Sequence, residues 1–275
     1  MKLIDVGSGR PLVLIPGVQG RWEYLQPALD ALARTFRVLT FPLSGEPESG
    51  RRLDPALGFD ADAAQVLDAL DRSGIGRAII CGLSFGGLPA IRFAAIQPER
   101  TSALVLVSTP GPPWQLRPRH RVYAGLPWLF APLFFLESPF RLRAEVRAAL
   151  PDSRARRQFT LQQLSTLVRA PLSPTRMAAR ARVIAGTNVA GDCARIVAPT
   201  LVVTGEPALD RVVAVERTLA YVDRIAGARH VTLHATGHLG SITKPEDFAS
   251  AVHEYAVGLP DSAARGAQPE KTDAA

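Results

Sequence analysis

Five short apolar runs fix most of what this chain can become. They are Leu12-Val13-Leu14-Ile15, Arg37-Val38-Leu39-Thr40-Phe41, Ala78-Ile79-Ile80-Cys81, Ala103-Leu104-Val105-Leu106-Val107 and Leu201-Val202-Val203. They are β-branched, continuous rather than alternating, and bounded by Gly or Pro. A strand wetted on one face alternates apolar and polar residues, whereas a strand covered on both faces does not. Helical patterns separate the runs, at about 23–33, 60–73, 85–97 and 211–225. Strand–helix alternation of this kind predicts an α/β class: an open, mostly parallel sheet with right-handed crossovers. Lys2 to Val6, followed by Gly7-Ser8-Gly9, predicts an antiparallel first strand. His230 to His234 alternates and predicts an edge strand with one wet face.

The alternation stops between Pro110 and Arg195, a stretch rich in Pro and Arg with no clear strand. At about 150 residues per domain, 275 residues predict one core, 1–109 and 196–258, with a helical insertion at 110–195. The last segment, 259–275, is small, polar and charged, and is expected to be a disordered tail. The net charge of +7 is uneven: the insertion holds 14 Arg against four acids, the rest 18 basic against 21 acidic residues. Without a zinc-finger, RNA-binding or helix-turn-helix pattern, this bias predicts a solvated Arg-rich face and no nucleic-acid partner. Cys81 and Cys193 are too few for a disulfide scaffold and lack zinc-ligand spacing, so no metal is expected. Cys81 reads as a buried small hydrophobe. There is no signal-type apolar region and no 18-residue apolar stretch, which predicts a cytoplasmic chain.

The chemistry concentrates in Gly82-Leu83-Ser84-Phe85-Gly86-Gly87, which follows a predicted strand and opens a predicted helix. A G-x-S-x-G turn in this context lifts a serine hydroxyl above the sheet edge, with a helix N-terminus aimed at it. A serine needs a base and an orienting acid to become a nucleophile. Of five histidines, His120 lies in the insertion and His253 in the last helix. His230 and His234 are roughly 13 Å apart along a strand, too far to share a metal. His238, in Thr236-Gly237-His238-Leu239-Gly240, sits at a strand's C-terminal end, where ligands gather in α/β sheets. For the acid, the loop after Leu201–Val203 offers Asp210, which could also cap the next helix, and Glu206, which could bond backbone instead. The expected set is Ser84, Asp210 and His238, in that chain order.

With these motifs the chain resembles the α/β-hydrolase family over about Leu3 to Val257. The resemblance implies an α/β-hydrolase fold: a mostly parallel sheet of seven to eight strands, helices on both faces, and a helical cap inserted after the sixth strand of the family order. It also implies an oxyanion hole of two backbone amides, Phe85 and Val18, with Gln19 close by; Pro16-Gly17 stands where many members have His-Gly. The Asp-x-x-Gly-x-Gly turn of many members is absent at Phe41–Glu46, and Thr243 stands where many carry Glu.

The segment Val122 to Leu136 carries no charge and is flanked by Arg117, Arg119, Arg121, Arg141 and Arg143. Its two prolines, Pro127 and Pro132, predict no long helix. Trp128, Phe130, Phe134 and Phe135 either pack the insertion onto the core or line an apolar acyl pocket; membrane-surface contact is a third use. Together these features lead to the expectation of a cofactor-free serine hydrolase that cleaves a small to medium apolar ester through an acyl-enzyme. Lactone, thioester and carbon–carbon bond hydrolysis remain open, as does a non-catalytic ligand binder on the same fold.

Overall fold

The computed structural model describes residues 1–259, apart from 113, 115 and 117. The expected tail therefore lies outside the described residues beyond Leu259, as does Arg117. Seven strands form one sheet: β1 (Ile4–Gly7), β2 (Arg10–Ile15), β3 (Phe36–Thr40), β4 (Ala78–Leu83), β5 (Thr101–Val107), β6 (Thr200–Thr204) and β7 (Arg229–Thr232). Their order is β1-β3-β2-β4-β5-β6-β7. All neighbours are parallel except β1, which runs antiparallel to β3 and pairs Ile4 with Thr40.

The apolar runs are continuous because the sheet is covered twice. Leu12, Leu14, Val38, Ile79, Cys81, Val105 and Val203 face one way and meet α1 (Gln26–Leu32) and α11 (Pro245–Val257) through Leu29, Leu32, Phe248 and Val252. Val13, Ile15, Leu39, Ile80, Leu104 and Val202 face the other way. They meet Val66 and Leu70 of α2 (Asp60–Arg72), Ile91 and Phe93 of α3 (Gly87–Ile96), and Tyr221 of α9 (Val215–Arg224). Burial of such side chains is worth about 1.5–3 kcal/mol each, and β4 and β6 are buried along their whole lengths. Cys81 lies inside this core; burial drives its thiol far above the ordinary range.

Strand β3 lies on one side of β2 and β4 on the other, so chain progression across the sheet reverses there. Loops leaving the ends of β2 and β4 diverge and open a crevice, the usual place for a ligand in such sheets. Between the adjacent strands β5 and β6 come α4 (Pro118–Gly125), α5 (Pro127–Ala149), α6 (Ser153–Arg169), α7 (Pro174–Gly186) and α8 (Ala190–Cys193).

Two expectations about helices are corrected. Helix α5 runs unbroken over 23 residues with Pro132 and Pro139 inside it. The two prolines are seven residues apart, nearly two turns, and both are exposed. On that side water can satisfy the carbonyls they free, those of Trp128 and Phe135 four residues back. Helix α9 starts at Val215 rather than near Arg211, because Asp210 Oδ1 accepts the N–H groups of Val212 and Val213 (both 2.9 Å) and holds them in a turn.

Candidate active site

Among the described residues three non-glycine positions have left-handed backbones: Ser84 (φ 51°), Ser108 (φ 44°) and Ala235 (φ 57°). Such positions cost about 1–3 kcal/mol each. All three lie at or just beyond the C-terminal ends of strands, β4, β5 and β7, so the strain is gathered on one rim. At Ser84 the turn is possible because its flanks are glycine. A Cβ at Gly82 would collide with the Gly86 carbonyl, and one at Gly86 with the Ile15 carbonyl.

Ser84 Oγ lies 3.0 Å from His238 Nε2, and His238 Nδ1 lies 3.3 Å from Asp210 Oδ2. The order of protons follows from chemistry. An ionised carboxylate only accepts, so Nδ1 carries the hydrogen and Nε2 is left to accept from the Ser84 hydroxyl. The loops supplying the pair are pressed together by glycine: a Cβ on Gly237 would stand 2.7 Å from Leu209, and one on Gly205 would stand 2.5 Å from Gly237 Cα. Asp210 therefore both builds its turn through Oδ1 and faces His238 through Oδ2. Burial works to raise the Asp210 pKa, but the nearby His238 and the N–H groups of Val213 and Val212 outweigh it, so the carboxyl sits below its ordinary value. Burial works to lower the His238 pKa, but the Asp210 carboxylate, its hydrogen bond and then the Glu145 charge outweigh it, and the imidazole sits above its ordinary value. Glu206, the other acid considered, accepts the Ala235 N–H at 2.8 Å and tethers the loop leading to His238.

The other histidines are elsewhere. His253 lies edge-on to Phe36, His230 Nε2 is 2.8 Å from Thr204 Oγ1, and the His234 side chain is exposed; His120 faces a cavity beside Ser84.

Sequence reading missed two charged residues from the helices between β5 and β6. Glu145 of α5 is buried; its Oε1 accepts the N–H of Gly237 at 2.9 Å and that of Leu239, the two residues flanking His238. Its Oε2 is buried with no hydrogen-bond partner among the described residues. Burial pushes the Glu145 carboxyl up, against the pull of those N–H groups and of His238. Arg180 of α7 is fully buried and donates to the Val18 carbonyl (3.1 Å), the Ser44 carbonyl (2.8 Å) and Glu46 Oε1 (3.0 Å). Gly20 must be glycine because a Cβ there would overlap the guanidinium. Arg180 thus seats the loop after β2, whose Val18 N–H has no backbone acceptor among the described residues. Phe85 stands in the first turn of its helix, where an N–H has no intrahelical partner. The only sequence signal for either charge is its place in helices that are otherwise apolar or Arg-rich.

Above Ser84 lies a cavity of ≈ 180 Å³ walled by Val18, Phe85, Tyr123, Phe130, Phe134, Phe135, Met177, Ile184 and Val213, among others. Phe130, Phe134 and Phe135 line it as the pocket reading expected. Trp128 does not: it is 73% exposed and lies outside the wall. At the 3.6-residue helical period Trp128 and Phe130 point to different sides, so α5 cannot turn all four aromatics inward. Among the described residues no Lys or Arg lines the cavity, and His120 is the one basic side chain that does.

A doubly covered, mostly parallel sheet with a serine on a strained strand–helix turn, facing an imidazole and a buried carboxylate, defines an open α/β protein with these three side chains gathered at its strand ends. The model of the alpha/beta hydrolase family matches residues 12–251, and the chain belongs to that family. It is 28% identical to a 2-hydroxymuconate semialdehyde hydrolase of Pseudomonas sp., over 92% of this chain and 89% of that one. It is 25% identical to a protein of Stutzerimonas stutzeri provisionally named carbamate hydrolase RutD, over 86% and 88%. The enol-lactonase from Burkholderia xenovorans shares the fold, with a TM-score of 0.71 at 21% identity, over 93% of this chain and 96% of that one.

Proposed function

We propose that the chain is a serine hydrolase that needs no cofactor and cleaves a carboxylic ester, or a close acyl relative, carrying a small apolar acyl group. The observation that carries this reading is the run of contacts from Ser84 to His238 to Asp210 at the floor of an apolar cavity. In the reaction Ser84 Oγ bonds to the acyl carbon while its proton passes to His238 Nε2. The backbone N–H groups of Val18 and Phe85 receive the oxyanion; one such donor is worth about 2.7–4 kcal/mol in comparable sites. Collapse breaks the bond to the leaving oxygen, which takes the proton from His238. Water, deprotonated by the same nitrogen, then releases the acid and restores Ser84. Asp210 keeps the imidazole in the tautomer both steps require. The helices between β5 and β6 act as a cap over the site.

Size and polarity support the acyl class. A cavity of about 150 Å³ lined by apolar side chains holds benzene, so ≈ 180 Å³ suits a butanoyl to hexanoyl chain or a single ring. The described wall favours a neutral acyl group. A charged group set against these apolar side chains would be heavily penalised unless paired. A neutral lactone is the second reading, favoured by the same wall. A fluorophosphonate probe tests the assignment: it is expected to label the wild type at Ser84 and to leave Ser84→Ala unlabelled. Equal labelling of folded Ser84→Ala refutes it. A p-nitrophenyl ester series from acetate to palmitate is expected to peak at short to medium chains.

A further inference from the structure

Helix α5 is apolar on two sides. Its inner side lines the cavity through Phe130, Phe134 and Phe135. Its outer side carries Leu129, Leu133, Leu136 and Phe140, spaced i, i+4, i+7 and i+11, and all four are exposed, Leu136 at 66% and Phe140 at 72%. Trp128 stands exposed beside the first of them. A helix on the surface of a globular protein normally turns charged residues to water; one that is apolar all round belongs in a core or against lipid. The same stripe runs on, at the same spacing, into Arg143 and Arg147, both exposed, and Arg121 is exposed on α4, which packs against α5. Among the described residues none of these three arginines makes an ion pair.

The geometry points to the outer face of α5 as a docking surface for an anionic lipid bilayer. Its apolar side chains enter the boundary between headgroups and acyl chains, and Arg121, Arg143 and Arg147 meet the headgroup phosphates. Charge selects this occupant over a second copy of the chain. The nearby carboxylate of α5, Glu137, is already engaged by Arg119 and by the Tyr123 hydroxyl. A symmetric copy would therefore bring arginines to the face and no free carboxylate to receive them, whereas a bilayer supplies negative charge and an apolar phase together. Charged flanks of this kind also demand salt sensitivity, since exposed charges are screened.

Sedimentation of the full chain with vesicles tests this, using phosphatidylcholine alone and phosphatidylcholine mixed with phosphatidylglycerol. The wild type is expected to bind the mixed vesicles more tightly, and more weakly as salt rises. Each of Arg143→Gln and Arg147→Gln is expected to lower that affinity by about fivefold. Leu136→Gln with Phe140→Gln is expected to lower it by more than about tenfold. All of these variants should keep the wild-type melting temperature and its rate on a soluble acetate ester. The rate arm also separates this proposal from the hydrolase reading, because vesicle binding is read without turnover. Equal sedimentation with both vesicle types, or no loss in the double Gln variant, overturns the docking surface. So does a concentration-dependent dimer that Leu136→Gln with Phe140→Gln dissociates.

Discussion

Glu145→Ala is the most informative single change. It removes the acceptor for the Gly237 and Leu239 N–H groups on either side of His238. A buried donor left without a partner costs about 1–3 kcal/mol, so two cost about 2–6 kcal/mol. The variant also recovers the penalty of burying a carboxylate, seen in the upward push on its pKa and its partnerless Oε2. A net loss of about 2–4 kcal/mol is expected, which at about 2–4 °C per kcal/mol for a chain of this size lowers the melting temperature by about 5–15 °C. Glu145→Gln separates position from charge, because it keeps Oε1 as an acceptor. The folded carboxyl has a pKa above its unfolded value, so the group weakens the fold at pH above the folded pKa, and that penalty fades as pH falls toward the unfolded value. The Gln variant should therefore melt no lower than wild type at neutral pH. Glu145 also helps to hold the His238 pKa up. Removing its charge should move the acid limb of kcat/KM to lower pH in Gln and Ala alike, measured on a soluble p-nitrophenyl ester by stopped assays across pH. An Ala variant that melts like wild type, together with an unmoved acid limb in the Gln variant, refutes the reasoning.

Three further outcomes are expected. Asp210→Asn should fold yet lose about 10⁴ in kcat, by analogy with the wrong-tautomer variant of the serine proteases; a mild Asp210→Asn beside a crippled Glu206→Gln would reverse the choice of acid. Phe134→Ala should change the slope of log(kcat/KM) against acyl chain length, because each buried methylene is worth about 0.8 kcal/mol, and a flat response would leave Phe134 with packing alone. Arg180→Met leaves the buried Glu46 to Arg176, 2.9 Å away, and strips the Val18 and Ser44 carbonyls of their donor, so calorimetry should show a loss of about 1–3 kcal/mol; an unchanged melting point would mean that the loop after β2 is seated by other contacts.

The sheet was legible because its signal is local. Runs such as Leu12–Ile15 and Ala103–Val107 are buried on both faces and advertise this in four or five consecutive residues. Ser84, Asp210 and His238 were legible for a related reason: each lies within a few residues of a strand end, and strand ends converge once the sheet is built. Glu145 and Arg180 were not. Both sit in helices whose docking depends on tertiary packing, and nothing adjacent in sequence distinguishes Arg180 from the exposed arginines around it. Composition leaves packing, pocket wall and surface contact all open for Trp128 and its aromatic neighbours, because it cannot resolve which side of a helix faces the core. The prolines of α5 misled in the same way, since their effect depends on whether water reaches the carbonyls they free.

Glu145 and Arg180, two of the buried charges between β5 and β6, have a consequence for how such a segment can be exchanged. Glu145 and Arg180 reach down at separate points, one onto the turn that carries His238, the other onto the turn that carries Val18. A replacement segment grafted from a relative would have to deliver a carboxylate and a guanidinium to those same two places, or the core beneath it would lose the alignment of His238 and of the Val18 turn together. Substrate preference can drift in the wall of the cavity, while these two anchors tie the graft to the host it came from.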